Sequence, residues 1–482
     1  NVEASGINSY DALVKAISDA EDGATITLAG DIDVTKTIRV ENKTITLNLA
    51  GHKLYNTKDI WNDNDWSLIS VRGTADLTIS GEGGLQAKDN DCYGVDVYDK
   101  TATVTIEKAN VIGNVHAVYV VEGTANIEGG NYSVQQKYPD PNKADEFVLN
   151  LYDESRENGI AKMVVTGGTF ENFNPTNCKA EGTGTNFCAI GYTTENNDSK
   201  YTVVKGTNAA VANAGVNYNT VSNAIGSYTH VNKMVVTLLN GIKEDVTIPS
   251  NKKIILNLNG KKLTNVSDNT ITIEKDAELT VNGNGTVDNI THGKSAIYNK
   301  GTATLEKGTF DRSAEAGENA DKNGGNSYYT VLNHGTMTVE SGVTVNNKGG
   351  YSSLFENGYF NYTKTQDGIE FPELTINGGT FTGGINTIKN DDNATLTIKD
   401  GTFKNYTQSA FQNHHIATIE GGTFDGANVY AVLNCGVKAC SSPDKGHDNH
   451  ETTITGGKFN GTISQTVGKI TISGGLFSKE FD

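Results

Sequence analysis

Along most of the chain, apolar residues alternate with Thr, Asn, Lys or Glu in short runs and then break at a glycine, the period of half-buried strands. The clearest run is 396–403 (LTIKDGTF), which recurs as 374–381 (LTINGGTF), 416–424 (IATIEGGTF), 453–459 (TITGGKF) and 470–477 (ITISGGLF). More worn copies are 163–170 (MVVTGGTF), 303–310 (ATLEKGTF) and 337–345 (MTVESGVTV). In each, the alternation predicts a strand and the glycine a turn that tolerates positive φ. The aromatic or aliphatic residue that follows is predicted to point back inward.

Taking Gly308, Gly342, Gly379, Gly401, Gly422, Gly457 and Gly475 as markers, the short spacings are 22, 21 and 18 residues and the long ones 34, 37 and 35. A unit near the short spacing, with no helical stripe, suits one winding of a parallel β-helix, and the long units carry inserted loops. Ser9 is placed to cap a helix with Leu13, Ala16, Ile17 and Ala20 on one face, ended by Gly23. Residues 218–225 (YNTVSNAI) echo 10–17 (YDALVKAI), and 256–263 (LNLNGKKL) echo 47–54 (LNLAGHKL), at offsets of 208 and 209. The expected organisation is therefore an all-β solenoid of two tandem β-helix domains, 1–208 and 209–482, each opened by a short capping helix.

In the second domain one asparagine stands before each repeat, at Asn299, Asn333, Asn357, Asn390, Asn413 and Asn434. One amide per winding at a fixed place predicts a stacked asparagine ladder. Insertions fall at two places in the unit. One set is 132–145, 171–186 and 311–327; the other is 152–161, 192–200, 358–371 and 436–451. Loops inserted at one turn of a solenoid line up along an edge, where a binding surface would be built.

The opening helix, the Leu-Asn-Leu-Asn-Gly run at 256–260 and the repeated Thr-Ile-x-Gly-Gly-Thr-Phe resemble right-handed parallel β-helix (pectate-lyase-like) modules of large surface proteins from Gram-positive gut bacteria. The resemblance covers nearly the whole chain, with worn repeats from 89 to 208. It implies an extracellular, surface-exposed adhesive module; some such proteins bind immunoglobulin. It also implies a longer wall-attached chain. The repeat at 470–477 has only five residues after it, so the natural protein is expected to continue past Asp482.

Composition adds limits. The 54 glycines among 482 residues, with 6 prolines, fit stacked turns. A formal charge of −18 argues against nucleic acid and anionic membranes as partners. No apolar run is long enough to span a bilayer. Five cysteines leave Cys178–Cys188 and Cys435–Cys440 as possible local disulfides and Cys92 over, or as a buried thiol.

Catalytic signals are thin. The four arginines, Arg39, Arg72, Arg156 and Arg312, are scattered over different windings. His334 reads as the residue after a ladder asparagine. Glu306 and Glu340 would lie one strand apart, about 4.8 Å, on an outward column more often solvated than catalytic. Asp63, Asp65, Asp89, Asp91, Asp391 and Asp392 could hold a surface calcium ion, although no defined loop signals one. The Cys435, Cys440, His447, His450 spacing falls outside those usual for zinc. Neither a cofactor nor a resident metal is expected.

The remaining feature is aromatic. Trp61 and Trp66 share one polar insertion (IWNDNDW), and Tyr351, Phe355, Tyr359, Phe360, Tyr362 and Phe371 crowd another. Aromatic anchors in polar loops suit protein partners or sugar rings, or serve as lids on their own windings. The expected function is a non-catalytic surface module that binds a host protein or glycan through its loops. A carbohydrate-active β-helix enzyme and a structural spacer are the alternatives.

Overall fold

The computed structural model describes residues 3–136, 147–182, 184–206, 211–213, 216–227, 233–313, 329–347, 353–359, 367–434, 450–465 and 468–479. The protein is all-β, built mainly of short parallel strands. It divides into two compact units, 1–229 and 230–482.

In the first unit the chain visits three sheets in a fixed order. The first sheet takes Ala24–Leu28, Thr44–Asn48, Asp76–Ser80, Thr103–Ile106, Gly123–Ile127 and Ala161–Val165 in parallel, with Glu3–Ile7 added at one edge. A second runs Ile38–Glu41, Ser67–Arg72, Tyr93–Val97, Val118–Val120, Leu149–Leu151, also parallel. The third begins with Ile32–Asp33 and Lys53–Tyr55 and ends in an antiparallel hairpin, Tyr192–Asn197 with Lys200–Lys205. Alternation places Ile69, Val95 and Val118 inward and in register, all fully buried, which is the repeated burial that holds adjacent strands together.

The helix Tyr10–Asp19 is capped by Ser9, whose hydroxyl accepts from the Ala12 N–H, and it buries Leu13 and Ile17. A second helix, Val221–Gly226, is capped by Thr220. Sequence reasoning made it the opening of the second domain. It lies in the compact unit 1–229, where Val216–Tyr218 pairs antiparallel with Thr185–Asn186 near a buried ion pair. Arg156 Nε lies 2.7 Å from Glu181 Oε2, and Arg156 Nη1 donates to the Tyr218 hydroxyl at 3.0 Å. Ser227 Oγ donates to the same hydroxyl at 2.8 Å. Burial pushes the Glu181 carboxyl up to about 7 even beside Arg156.

The second unit repeats the three-column pattern. One column runs from Met234–Leu238 and Lys253–Asn257 to Lys469–Ile472, and another from Val246–Ile248 and Ile271–Ile273 through Ile297–Asn299, Phe355–Asn357 and Ser409–Asn413. Two stacks fill its interior. Phe381, Phe403, Phe424, Phe459 and Phe477 lie face to face, with successive centroids at 4.9, 4.7, 4.9 and 5.0 Å. Gly401 adopts φ 135°, and a Cβ there would sit 2.9 Å from Phe403 Cζ, so turn and stack both require glycine.

The other stack is of amides. Asn299, Asn333, Asn357, Asn390, Asn413 and Asn434 are fully buried, and each Nδ2 donates to the next Oδ1 at 2.7, 2.7, 2.8, 2.9 and 3.2 Å. The same nitrogens also donate to backbone carbonyls; Asn390 Nδ2 reaches Ala394 and Ile416 at 3.2 and 3.0 Å. Buried amides are tolerated here because the polar groups are satisfied.

The Cys178–Cys188 disulfide does not form. Both are buried free thiols, Cys178 facing the Leu149 carbonyl and Cys188 bridged through its backbone to Val165. Burial pushes the Cys188 thiol up to about 12 and Cys178 well above its ordinary value, so neither is a nucleophile at neutral pH. Cys92 is likewise a buried thiol. Cys435 and Cys440 lie outside the described residues.

Candidate functional site

The outward face of the second sheet in the first unit brings arginine, carboxylate, hydroxyl and aromatic side chains together. Its outward row reads Arg39, Ser70, Asp96 and Tyr119 in register, one residue per strand. Trp66 directly precedes the strand Ser67–Arg72, and the insertion 57–66 rises from its edge.

That insertion is fixed at both ends. Asp91 accepts from the backbone N–H groups of Ile60 at 2.9 Å and Trp61 at 3.1 Å, and from Asn56 Nδ2 at 2.7 Å. At the far end Asp65 meets Arg39 Nε at 2.8 Å and Arg72 Nη2 at 3.4 Å, while Arg72 Nη2 also donates to the Asn64 carbonyl at 2.6 Å. Two arginines that look scattered in the sequence thus converge on one carboxylate. Burial pushes the Asp65 carboxyl up, and the Arg39 hydrogen bond and charge, with help from Arg72, pull it below its ordinary value.

The clamped loop leaves Trp61 47% exposed and packs Trp66 into a row of rings. Trp66 lies 5.5 Å from Tyr98 and 6.4 Å from Tyr119. Tyr119 continues to Tyr93 at 5.9 Å and stacks on His116 at 4.7 Å. Tyr98, 37% exposed, also carries the Arg72 guanidinium 4.8 Å from its ring centre. The result is a half-open aromatic strip with guanidinium and hydroxyl groups along it. Around the loop's base, a groove of about 440 Å³ on the third sheet is lined by Lys53, Tyr55, Asn56, Gln86, Lys88 and Gln135, among others. Asn56 belongs both to this groove and to the Asp91 clamp that holds the Trp61 backbone.

Beneath the strip, Asp96 is fully buried and accepts from Ser67 Oγ at 2.5 Å and Ser70 Oγ at 2.7 Å; Arg72 Nε donates to Ser70 Oγ at 2.8 Å. Burial pushes Asp96 up to about 6 against the pull of the two hydroxyls. An acid whose folded-state pKa is raised supports stability below its unfolded value, and that support is lost as pH rises through the folded one. Between pH 4 and pH 7, Asp96→Asn should therefore gain about 2 kcal/mol on the wild type, read as paired urea titrations at the two pH values; a constant difference would contradict it. His116, lowered to about 4 by burial, acts in the opposite direction, which is why the paired difference is the quantity to measure.

The second aromatic insertion behaves otherwise. Phe355 is 0% exposed, turned inward and packed 6.2 Å from Phe381, and Tyr359 is 7% exposed against His334 at 4.2 Å. Neither can anchor a ligand as the sequence reading had it. Tyr359 spends its hydroxyl on the Ile369 carbonyl at 2.9 Å. Tyr351, Phe360 and Tyr362 lie outside the described residues, while Phe371 is exposed. His334 Nδ1 sits 2.7 Å from Asp367 and 3.2 Å from the Tyr298 hydroxyl. Glu340 takes a hydrogen bond from Asn377 at 2.9 Å.

Sequence reasoning named Trp61 and Trp66 but missed Tyr93, Tyr98, His116 and Tyr119. The available signal was an aromatic residue at an outward position of an apolar strand, as in Val118-Tyr-Val120. Among the described residues, no group of three or more His, Cys, Asp or Glu could hold a metal ion, and no helix is long and apolar enough to cross a membrane. Compared with protein-family models, curated proteins and solved structures, the chain finds no match in any of the three.

Proposed function

We propose that the protein is a right-handed parallel β-helix solenoid that acts as a non-catalytic glycan-binding module on a bacterial cell surface. The solenoid reading rests on strands that pair with the third strand onward, winding after winding, and on the amide and phenyl stacks. The cell-surface setting rests on the sequence resemblance alone. One observation carries the binding reading: the strip of Trp66, Tyr98 and Tyr119, beside a loop clamped by Asp91, Arg39 and Arg72 that leaves Trp61 47% exposed.

Pyranose rings present apolar faces that stack on aromatic rings, with hydroxyl edges that seek hydrogen bonds. Strands about 4.8 Å apart present such rings in a row, which suits a chain of sugars better than a single one. Because the loop is held without a ligand, little ordering entropy opposes binding. Hydrolysis or elimination is disfavoured by Asp96, which is sealed below the strip with both oxygens engaged by serine hydroxyls.

The test is a glycan array run beside a panel of host proteins and a polysaccharide depolymerisation assay. Saturable glycan binding without turnover is expected. Binding to an immunoglobulin or another protein alone would replace the ligand class, and turnover would replace the mechanism.

A further inference from the structure

The second unit holds a cluster of ionisable groups that the glycan reading does not use. It lies on the outward side of the ladder strands. Glu356 is in register with Lys389, and Asp391 follows two residues later on the same side. Their exposures are 2%, 3% and 1%, and Tyr329 and His414 are buried beside them. Lys389 Nζ lies 2.7 Å from Asp391 Oδ2, and His414 Nε2 lies 3.9 Å from Asp391 Oδ1. Glu356 hydrogen-bonds Asp391, and its Oε1 has no hydrogen-bond partner among the described residues. Burial and the neighbouring Asp391 hold the Glu356 carboxyl well above the usual range, so it is an acid at neutral pH.

Groups this deeply buried have no access to an external substrate, but they can react with one another. An amine held against a carboxyl, with a second carboxyl in its acid form touching the first, is the set needed to condense the pair. We propose that Lys389 and Asp391 form an intramolecular amide, with Glu356 as the proton carrier.

The step balances without any co-reactant. A proton passes from the Lys389 ammonium to the Asp391 carboxylate along their hydrogen bond, giving a neutral amine and a neutral acid. The nitrogen lone pair then forms a bond to Asp391 Cγ. Glu356 accepts the surplus proton from that nitrogen at Oε1 and gives its own to the departing hydroxyl. The C–O bond breaks, one water leaves, and Glu356 is again an acid. Ammonium plus carboxylate has become amide plus water, with no oxidation. The pair starts ionised, since Asp391 is held down and Lys389 up by their mutual attraction in spite of burial. Two factors favour closure: contact geometry fixed by the fold, and removal of two charges from an interior where each is costly to desolvate.

The test is the mass of the denatured full chain, with proteolytic mapping. The wild type is expected to be lighter than its sequence by one water, with the loss mapped to a linked Lys389–Asp391 peptide. Lys389→Arg should have full mass. Glu356→Gln, which keeps a hydrogen-bonding side chain, should close about a hundredfold or more slowly. A wild type at full sequence mass overturns the proposal, as does a water loss that persists in Lys389→Arg. Equal closure in Glu356→Gln removes Glu356 from the reaction.

Discussion

Replacing Asn390 by aspartate is expected to destabilise the second unit by about 3–5 kcal/mol at neutral pH. Asn390 sits in the middle of the ladder, accepting from Asn357 Nδ2 at 2.8 Å and donating to Asn413 Oδ1 at 2.9 Å and to two backbone carbonyls. A carboxylate there has no hydrogen to give. It would turn an oxygen toward each of those acceptors, in a position with no exposure to water. The aspartate would therefore take up a proton on folding, so the loss should shrink on acidification. Urea unfolding at neutral and acid pH reads both effects. A loss below about 1 kcal/mol, the size of one ordinary hydrogen bond, would mean that the ladder is not a stabilising spine.

Removing the tryptophans should have the largest functional effect. Each is expected to contribute about 2 kcal/mol to glycan binding, the size of an aromatic anchor, or roughly thirtyfold in affinity. Trp61→Ala should leave folding nearly untouched, because its ring is half in water and its backbone is what Asp91 holds. Trp66→Ala also strips packing from Tyr98 and Tyr119, so Trp66→Phe serves as the variant that keeps an aromatic ring in place. Isothermal titration of the Trp61→Ala, Trp66→Ala double variant with an array-identified glycan should show at least a hundredfold loss. Unchanged affinity in a folded double variant would move the site elsewhere.

The ladder was legible because an asparagine recurs at a fixed place before each glycine turn, and period alone aligns such residues. The same alternation could have placed Phe355 correctly: two positions before ladder residue Asn357, it must share that residue's inward side. Its neighbours in an aromatic-rich insertion suggested a surface role instead. The aromatic strip was not legible, since Trp66, Tyr98 and Tyr119 meet only through strand register across an insertion whose length hides it. The convergence of Arg39 and Arg72 on Asp65 is equally invisible along the chain. Spacing suggested a Cys178–Cys188 bridge, but spacing carries no information about which way a thiol points. The echo at 218–225 was real as a pattern. What it could not disclose was that Tyr218 bonds back to Arg156.

A glycan stacked on Trp66 or Trp61 is expected to perturb indole emission. Because these are the only tryptophans in 482 residues, tryptophan emission reports this site and no other. The decisive measurement is a fluorescence titration of the intact chain with the glycan that binds best on an array. A saturable change in emission whose midpoint matches the calorimetric affinity is the predicted result, and Trp61→Phe and Trp66→Phe taken singly should each keep a smaller saturable change from the remaining indole. Tight glycan binding with silent tryptophans would contradict the account.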